Sequence, residues 1–95
     1  MYVFIVNINI KPIEEIERHL ADHIAWLDGY YLSGNFIASG RKIPRTGGVI
    51  LVNAASKDLI ENMFKSEPFY IAKLATYEII EFLVNKTNNK GISLE

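Results

Sequence analysis

The stretch YVFIVNINI, residues 2–10, decides how this chain folds. From Val6 to Ile10, apolar residues alternate with Asn7 and Asn9. Alternation with a period of two is typical of a β-strand that turns one face toward a core. The stretch is therefore predicted to be the first strand of a sheet.

The apolar pattern changes after this strand from a period of two to helical spacing. Steps of three and four predict an amphipathic helix that runs to about Asp28 and extends toward Tyr31. Its apolar stripe is predicted to pack on the sheet. The stripe consists of Ile13, Ile16, Leu20, Ile24 and Leu27.

Three further strands and a second helix follow. Strands are predicted at residues 36–40 and 48–54, on either side of a loop that contains glycine and basic residues. Ser56 is a suitable N-cap for the second helix, and Pro68 is expected to close it because the residue before a proline avoids helical geometry. A fourth strand is predicted at residues 76–84.

The order strand, helix, strand, strand, helix, strand predicts an α+β domain of the ferredoxin-like βαββαβ type, over residues 1–84. Such a domain has a four-stranded antiparallel sheet with two helices on one face. Val3 and Ile5 lie opposite Phe4 and Val6 in the first strand, so both faces of the sheet are predicted to be apolar. A second copy of the chain is therefore expected to cover the open face in a C2 homodimer.

Residues 85–95 are rich in Asn and Lys and are predicted to form a flexible tail. The apolar run at residues 2–6 is too short for a membrane span or for the core of a signal peptide. We therefore expect a cytoplasmic protein with no membrane partner.

Composition argues against several other functions. Ten Lys and Arg are balanced by eleven Asp and Glu, and no basic run is longer than two residues, so nucleic-acid binding is not expected. The chain contains no cysteine, which excludes disulfides, thiol catalysis and thiolate metal sites. Apolar residues make up 49% of the chain and charged residues 22%, which favours an oligomer.

The first helix carries two histidines on the flank beside its apolar stripe. On a helical wheel His19 and His23 share this flank with Trp26 and Tyr30, and His23 lies closest to the core. A half-buried imidazole that is oriented by a carboxylate can exchange protons near neutral pH. The alternative is a packed histidine. His19 and His23 are four residues apart, but no third ligand is evident, so no metal site is predicted.

Charged residues elsewhere in the chain could complete a site around such a histidine. Glu67 precedes Pro68 and is forced into extended geometry, where its carboxylate can be aimed; otherwise it is a surface acid. Arg41, Lys42 and Arg45 lie in the glycine-containing loop after the second strand. They could hold a carboxylate or phosphate, or serve only solubility.

Four segments in this order carry a resemblance to a known family: HIAWL at 23–27, GNFIASG at 34–40, PRTGGVI at 44–50 and EPF at 67–69. Together they resemble the YciI-like proteins, which have a YCII-related domain and belong to the dimeric α+β barrel superfamily. The likeness covers residues from about 2 to 84.

This resemblance implies a dimer of ferredoxin-like subunits and a pocket whose catalytic pair is a helix histidine and an acid before a proline. The matching residues here are His23 and Glu67. The family usually has Asp before the proline, and Gly-Pro after the second strand, where this chain has Arg41. Ser39, in the second segment, joins Arg41 and Arg45 as a candidate substrate-binding residue.

The expected function is that of a cofactor-free enzyme of the lyase, isomerase or hydrolase type. Glu67 would orient His23, which would act as general acid or base, and Arg41 or Arg45 would hold a small anionic substrate. The alternatives are a non-catalytic dimer that binds a small molecule in the same pocket, and a purely structural dimer.

Overall fold

The protein is a four-stranded antiparallel sheet covered by helices. A computed structural model describes residues 2–10 and 13–88. In chain order its elements are β1 (Tyr2–Ile10), a 3-10 turn (Ile13–Glu15), α1 (Ile16–Leu32), β2 (Phe36–Arg41), β3 (Gly47–Asn53), α2 (Lys57–Phe64), α3 (Pro68–Ile71) and β4 (Ala75–Leu83). The strand order is β2-β3-β1-β4, with antiparallel neighbours throughout. This confirms the predicted α+β fold and matches the ferredoxin-like arrangement.

One face of the sheet and the helices enclose the hydrophobic core. Val6, at the centre of β1, pairs with Ile50 of β3 and with Ile79 of β4. Cross-strand partners point to the same face of a sheet, so these three side chains share the helix-covered side. The buried core around them includes Phe4, Ile8, Ile16, Phe36, Val52, Ile60, Phe64 and Phe69.

The chain between α2 and β4 differs from the prediction. Pro68 was expected to close the second helix, and this is wrong, because α2 already ends at Phe64 and Pro68 is the first residue of the additional helix α3. Proline fits a first helical position because the N–H that it lacks would have no partner within the helix. The observed strands differ from the predicted ones by one residue at some ends.

Helix α1 is rotated relative to the prediction. Ile16 is buried, but Leu20 and Ile24 remain 38% and 47% exposed, so the prediction that the whole stripe packs on the sheet is wrong. The neighbouring flank packs instead, and Trp26 makes edge contacts with the rings of Phe36 and Phe64. Large aromatic rings fill the core and hold the stripe partly away from the sheet.

The opposite face of the sheet is apolar, as predicted. Ile5 pairs with Leu51 and with Ile80, and Ile80 is 48% exposed. Phe82 is 39% exposed on the same face. No helix covers these residues in the described part of the chain, so β1, β3 and β4 present a partly open apolar surface.

The chain after β4 is only partly described. Residues 84–88 have no regular secondary structure, and Val84 is buried. The remainder of the predicted tail, residues 89–95, lies outside the described residues. Among the helices at residues 13–88, none is long and apolar enough to cross a membrane.

Two glycines differ in whether the structure leaves space for a side chain. Gly47 has φ +148°, and a Cβ there would overlap the carbonyl oxygen of Ile8. A Cβ at Gly29, in α1, would meet no atom within 4 Å. We expect Gly47→Ala to lower the free energy of unfolding by about 2 kcal/mol or more, and Gly29→Ala to raise it by up to about 1 kcal/mol. Urea unfolding measures both, and equal effects would contradict the close approach at Gly47.

Candidate active site

The carboxylate of Glu67 is held by the start of helix α3. Glu67 has extended backbone geometry (φ −68°, ψ 125°), as predicted from the following proline, and is 1% exposed. Its Oε1 accepts a hydrogen bond from the Phe69 amide at 3.0 Å, and its Oε2 accepts one from the Tyr70 amide at 2.7 Å. Both oxygens are therefore fixed by backbone donors, and the group is the N-cap of α3.

His23 completes the hydrogen bonding of this carboxylate. Its Nδ1 lies 2.8 Å from Glu67 Oε1. An ionised carboxylate only accepts hydrogen bonds, so it fixes the proton of a neutral His23 on Nδ1 and leaves a lone pair on Nε2. Nε2 has no hydrogen-bond partner within residues 2–10 and 13–88. The ring also packs against Phe69, with centroids 4.7 Å apart.

Trp26 ties α1 to the turn that carries Glu67. Its Nε1 donates to Ser66 Oγ at 3.0 Å, and Ser66 Oγ in turn donates to the carbonyl of Met63 at 2.9 Å. The Trp26 ring stacks with His23 at a centroid distance of 6.1 Å. The hydrogen bond between Trp26 and Ser66 is thus a second link between α1 and the turn that carries Glu67, beside the contact of His23 with Glu67.

A cavity of about 260 Å³ lies between α1 and the hairpin of β2 and β3. Its polar side chains are those of His23, Ser39, Arg41 and Arg45. Glu67 lies behind His23, so the structure brings the five predicted site residues together around one cavity. The apolar part of the wall includes Ile8, Ile16, Leu20, Leu27, Ile50 and Phe69.

Arg41 and Arg45 bring positive charge to this cavity. Within the described residues neither guanidinium forms an ion pair or a hydrogen bond, whereas Arg18 pairs with Glu15 at 3.1 Å on the surface of α1. Lys42 is turned away, because its Nζ donates to Asn9 Oδ1 at 2.6 Å. The two arginines therefore remain available to an anion.

His19 has a different environment from His23. It makes only an edge contact with the Phe69 ring, at 6.4 Å between centroids, and is not part of the cavity wall. In the part of the chain that the structure describes, no three His, Asp or Glu side chains converge as metal ligands would. His19 can therefore serve as a control for His23, because it lies on the same helix but does not form the hydrogen bond to Glu67.

Tyr31 is a site residue that sequence reasoning missed. Its hydroxyl lies 2.6 Å from Ser39 Oγ, across the gap between α1 and β2. Tyr31 follows the cavity residue Leu27 by four positions, and helical periodicity could have placed both on one flank. The contact with Ser39 has no comparable signal in the sequence.

A second cleft lies between α2 and β4 and is lined by Lys57, Glu61, Tyr70 and Tyr77, among others. Burial raises the pKa of Tyr77 above its usual value, and the nearby Tyr70, Glu61 and Glu67 raise it further. The raised pKa favours the neutral form of the Tyr77 hydroxyl.

Comparison with known proteins connects this geometry to a family. The model of the YCII-related domain matches residues 1–83, whereas no curated protein sequence is significantly similar. One similar solved structure is 5-chloro-2-hydroxyhydroquinone dehydrochlorinase (TftG) from Burkholderia phenoliruptrix AC1100, in complex with 2,5-dihydroxybenzoquinone. The TM-score is 0.70 at 19% identity, over 90% of this chain and 95% of that chain. The two proteins share a fold.

The hydrogen bond to Glu67 predicts the tautomer of His23. We expect ¹⁵N NMR of the neutral imidazoles to show the proton of His23 on Nδ1, and His19, which has no such acceptor, to show the Nε2-protonated form that free histidine prefers. In Glu67→Gln the His23 tautomers should mix, and the free energy of unfolding should fall by about 1–3 kcal/mol, because an amide NH₂ must then face a donor. A wild-type His23 protonated on Nε2 would contradict the assignment.

Proposed function

The chain belongs to the YCII-related domain family, and we propose that it is a cofactor-free enzyme that moves a proton on a small anionic molecule. The observation that carries this proposal is the 2.8 Å contact between His23 Nδ1 and Glu67 Oε1 at the wall of the cavity. Glu67 supports His23 from behind, and Arg41 and Arg45 offer positive charge from the other side. The proposed base and the anion-binding groups thus border the same space, and the orienting acid lies directly behind the base.

The roles follow from the hydrogen bonding. The lone pair on His23 Nε2 accepts a proton from the substrate, and Glu67 stabilises the imidazolium that forms. The two carboxylate oxygens of Glu67 already accept hydrogen bonds from the Phe69 and Tyr70 amides, so the carboxylate does not need to reorient during the step. Arg41 and Arg45 bind the negative charge of the substrate.

The chemistry proposed is of the lyase, isomerase or hydrolase type. TftG, which shares the fold, is named a dehydrochlorinase. Loss of hydrogen chloride requires a group that accepts a proton, which is the role proposed here for His23. This supports a lyase-type elimination as the first reaction to test.

His23→Gln and His19→Gln separate catalysis from binding. In D₂O, ¹H NMR can follow turnover and proton exchange in a panel of small anionic carbonyl compounds and hydroxylated rings. We expect the rate to fall about 10²–10⁴-fold in His23→Gln, because the general base is lost, and to remain unchanged in His19→Gln. Compounds that bind equally well to wild type and His23→Gln, and that neither protein converts, would favour the non-catalytic binding protein.

We also propose that the open face of the sheet pairs with a second copy of the chain. Ile80 and Phe82 are exposed there. A second copy would cover these apolar side chains.

Ile80→Glu tests this homodimer, because it places a charge in the proposed interface. Sedimentation velocity at micromolar concentration should show a wild-type dimer and a monomeric Ile80→Glu protein. Leu32→Glu is the control, since Leu32 is 91% exposed at the end of α1, away from the sheet face, and this variant should remain dimeric. A monomeric wild type would overturn the proposed assembly.

A further inference from the structure

Two hydroxyl groups meet at the cavity on the β2 side. The Tyr31 hydroxyl of α1 lies 2.6 Å from Ser39 Oγ, and Ser39 lines the cavity. Two hydroxyls carry two hydrogens, and the hydrogen bond between them uses one. The geometry allows either hydroxyl to be the donor; because a phenol is the more acidic of the two, we assign Tyr31 as the donor and Ser39 as the acceptor. Ser39 then keeps its own hydrogen for an acceptor inside the cavity.

Arg41 lies next to this hydroxyl on the same side of β2. Ser39 pairs with Ile50 and Arg41 with Gly48, which places both on the face of the sheet that α1 covers. Residues two apart on a strand are separated by about 7 Å, a distance that the long arginine side chain can span. The unpaired guanidinium of Arg41 can therefore reach an oxygen that accepts from Ser39.

His23 lines the cavity from α1, on the helix side, while Ser39 and Arg41 line it from the sheet. We propose that Ser39 and Arg41, with Tyr31 as the positioning residue of Ser39, form an oxyanion-binding site for a substrate that passes through an enolate. The inference rests on the proposed function of His23. It specifies the substrate class as small carbonyl compounds with an acidic C–H bond beside the carbonyl group.

The chemical step is balanced without a co-reactant. His23 Nε2 takes the proton from the carbon beside the carbonyl, the electrons of that C–H bond form a C=C bond, and the carbonyl π electrons move to oxygen. Ser39 and Arg41 donate hydrogen bonds to this oxyanion, where charge develops in the transition state. The electrons then return from the oxyanion. Either the imidazolium delivers its proton to another atom of the substrate, or a leaving group departs with its electron pair and the imidazolium gives its proton to that group or to water.

The size of the cavity limits the substrate. At about 260 Å³ it lies just below the usual range for small-molecule pockets, roughly 300–1,000 Å³. Its wall is largely apolar, with the polar groups restricted to the two sides described. A single ring or a short branched chain that carries the carbonyl group fits these constraints.

A phenolate that mimics an enolate oxygen tests the site without knowledge of the natural substrate. The probe is 4-nitrophenol, whose phenolate is followed by visible absorption, and the neutral comparison is 4-nitroanisole. We expect wild type to prefer the phenolate, and Ser39→Ala and Arg41→Gln each to weaken phenolate binding by about tenfold or more, because each loses a hydrogen bond to a charged group. Tyr31→Phe should weaken it by a smaller factor, with little effect on 4-nitroanisole.

Arg18→Gln is the matched control, because Arg18 is paired with Glu15 outside the cavity, and it should bind the phenolate as wild type does. Three results would overturn the oxyanion site: no preference for the phenolate, loss of binding in His23→Gln alone, or unchanged affinity in Ser39→Ala and Tyr31→Phe. If only Arg41→Gln weakens binding, the proposed function stands and the oxyanion site does not. If neither probe binds at millimolar concentration, the oxyanion site is overturned, and the proposed function is decided by the proton-exchange rates of His23→Gln and His19→Gln.

Discussion

The buried carboxylate of Glu67 is the constraint on which the site depends. A charge that is 1% exposed requires donors on both oxygens, and Glu67 obtains them from the Phe69 amide, the Tyr70 amide and His23 Nδ1. The two amides are available only because a new helix begins at Pro68. The third donor fixes the imidazole and brings α1 against the turn between α2 and α3. One group thus sets the position of a helix and the tautomer of the candidate base.

The cavity follows from how α1 is oriented on the sheet. The contacts of His23 with Glu67 and of Trp26 with Ser66 hold one flank of α1 toward α2 and α3. Aromatic rings fill the space below this flank, so Leu20 and Leu27 on the other flank border a gap above β2 and β3. Apolar surface that a fully closed fold would bury is left to contact a ligand. The orientation of α1 therefore determines both the packing of the core and the cavity.

The charges of the chain are distributed in a way that suits this space. The carboxylate of Glu67, behind the cavity wall, is already satisfied by backbone amides and His23, whereas Arg41 and Arg45 have no carboxylate partner among the described residues. An anion entering the cavity meets unpaired positive charge and is not faced by a free acid. The opposite face of the sheet presents the exposed apolar side chains of Ile80 and Phe82, which suits an apolar partner.

The sequence by itself determined the fold class, because a period of two or of three to four residues in apolar side chains reports directly which segments can cover a core. It also placed His23 and Glu67 as candidates, through their local settings and the family resemblance. Only the tertiary structure decided that these residues, 44 positions apart, are in contact, that Pro68 starts a helix, and that Tyr31 meets Ser39. Periodicity describes one element at a time. Contacts between elements depend on how α1 is rotated about its axis. The aromatic and aliphatic flanks of α1 compete for the core, and this competition sets the rotation.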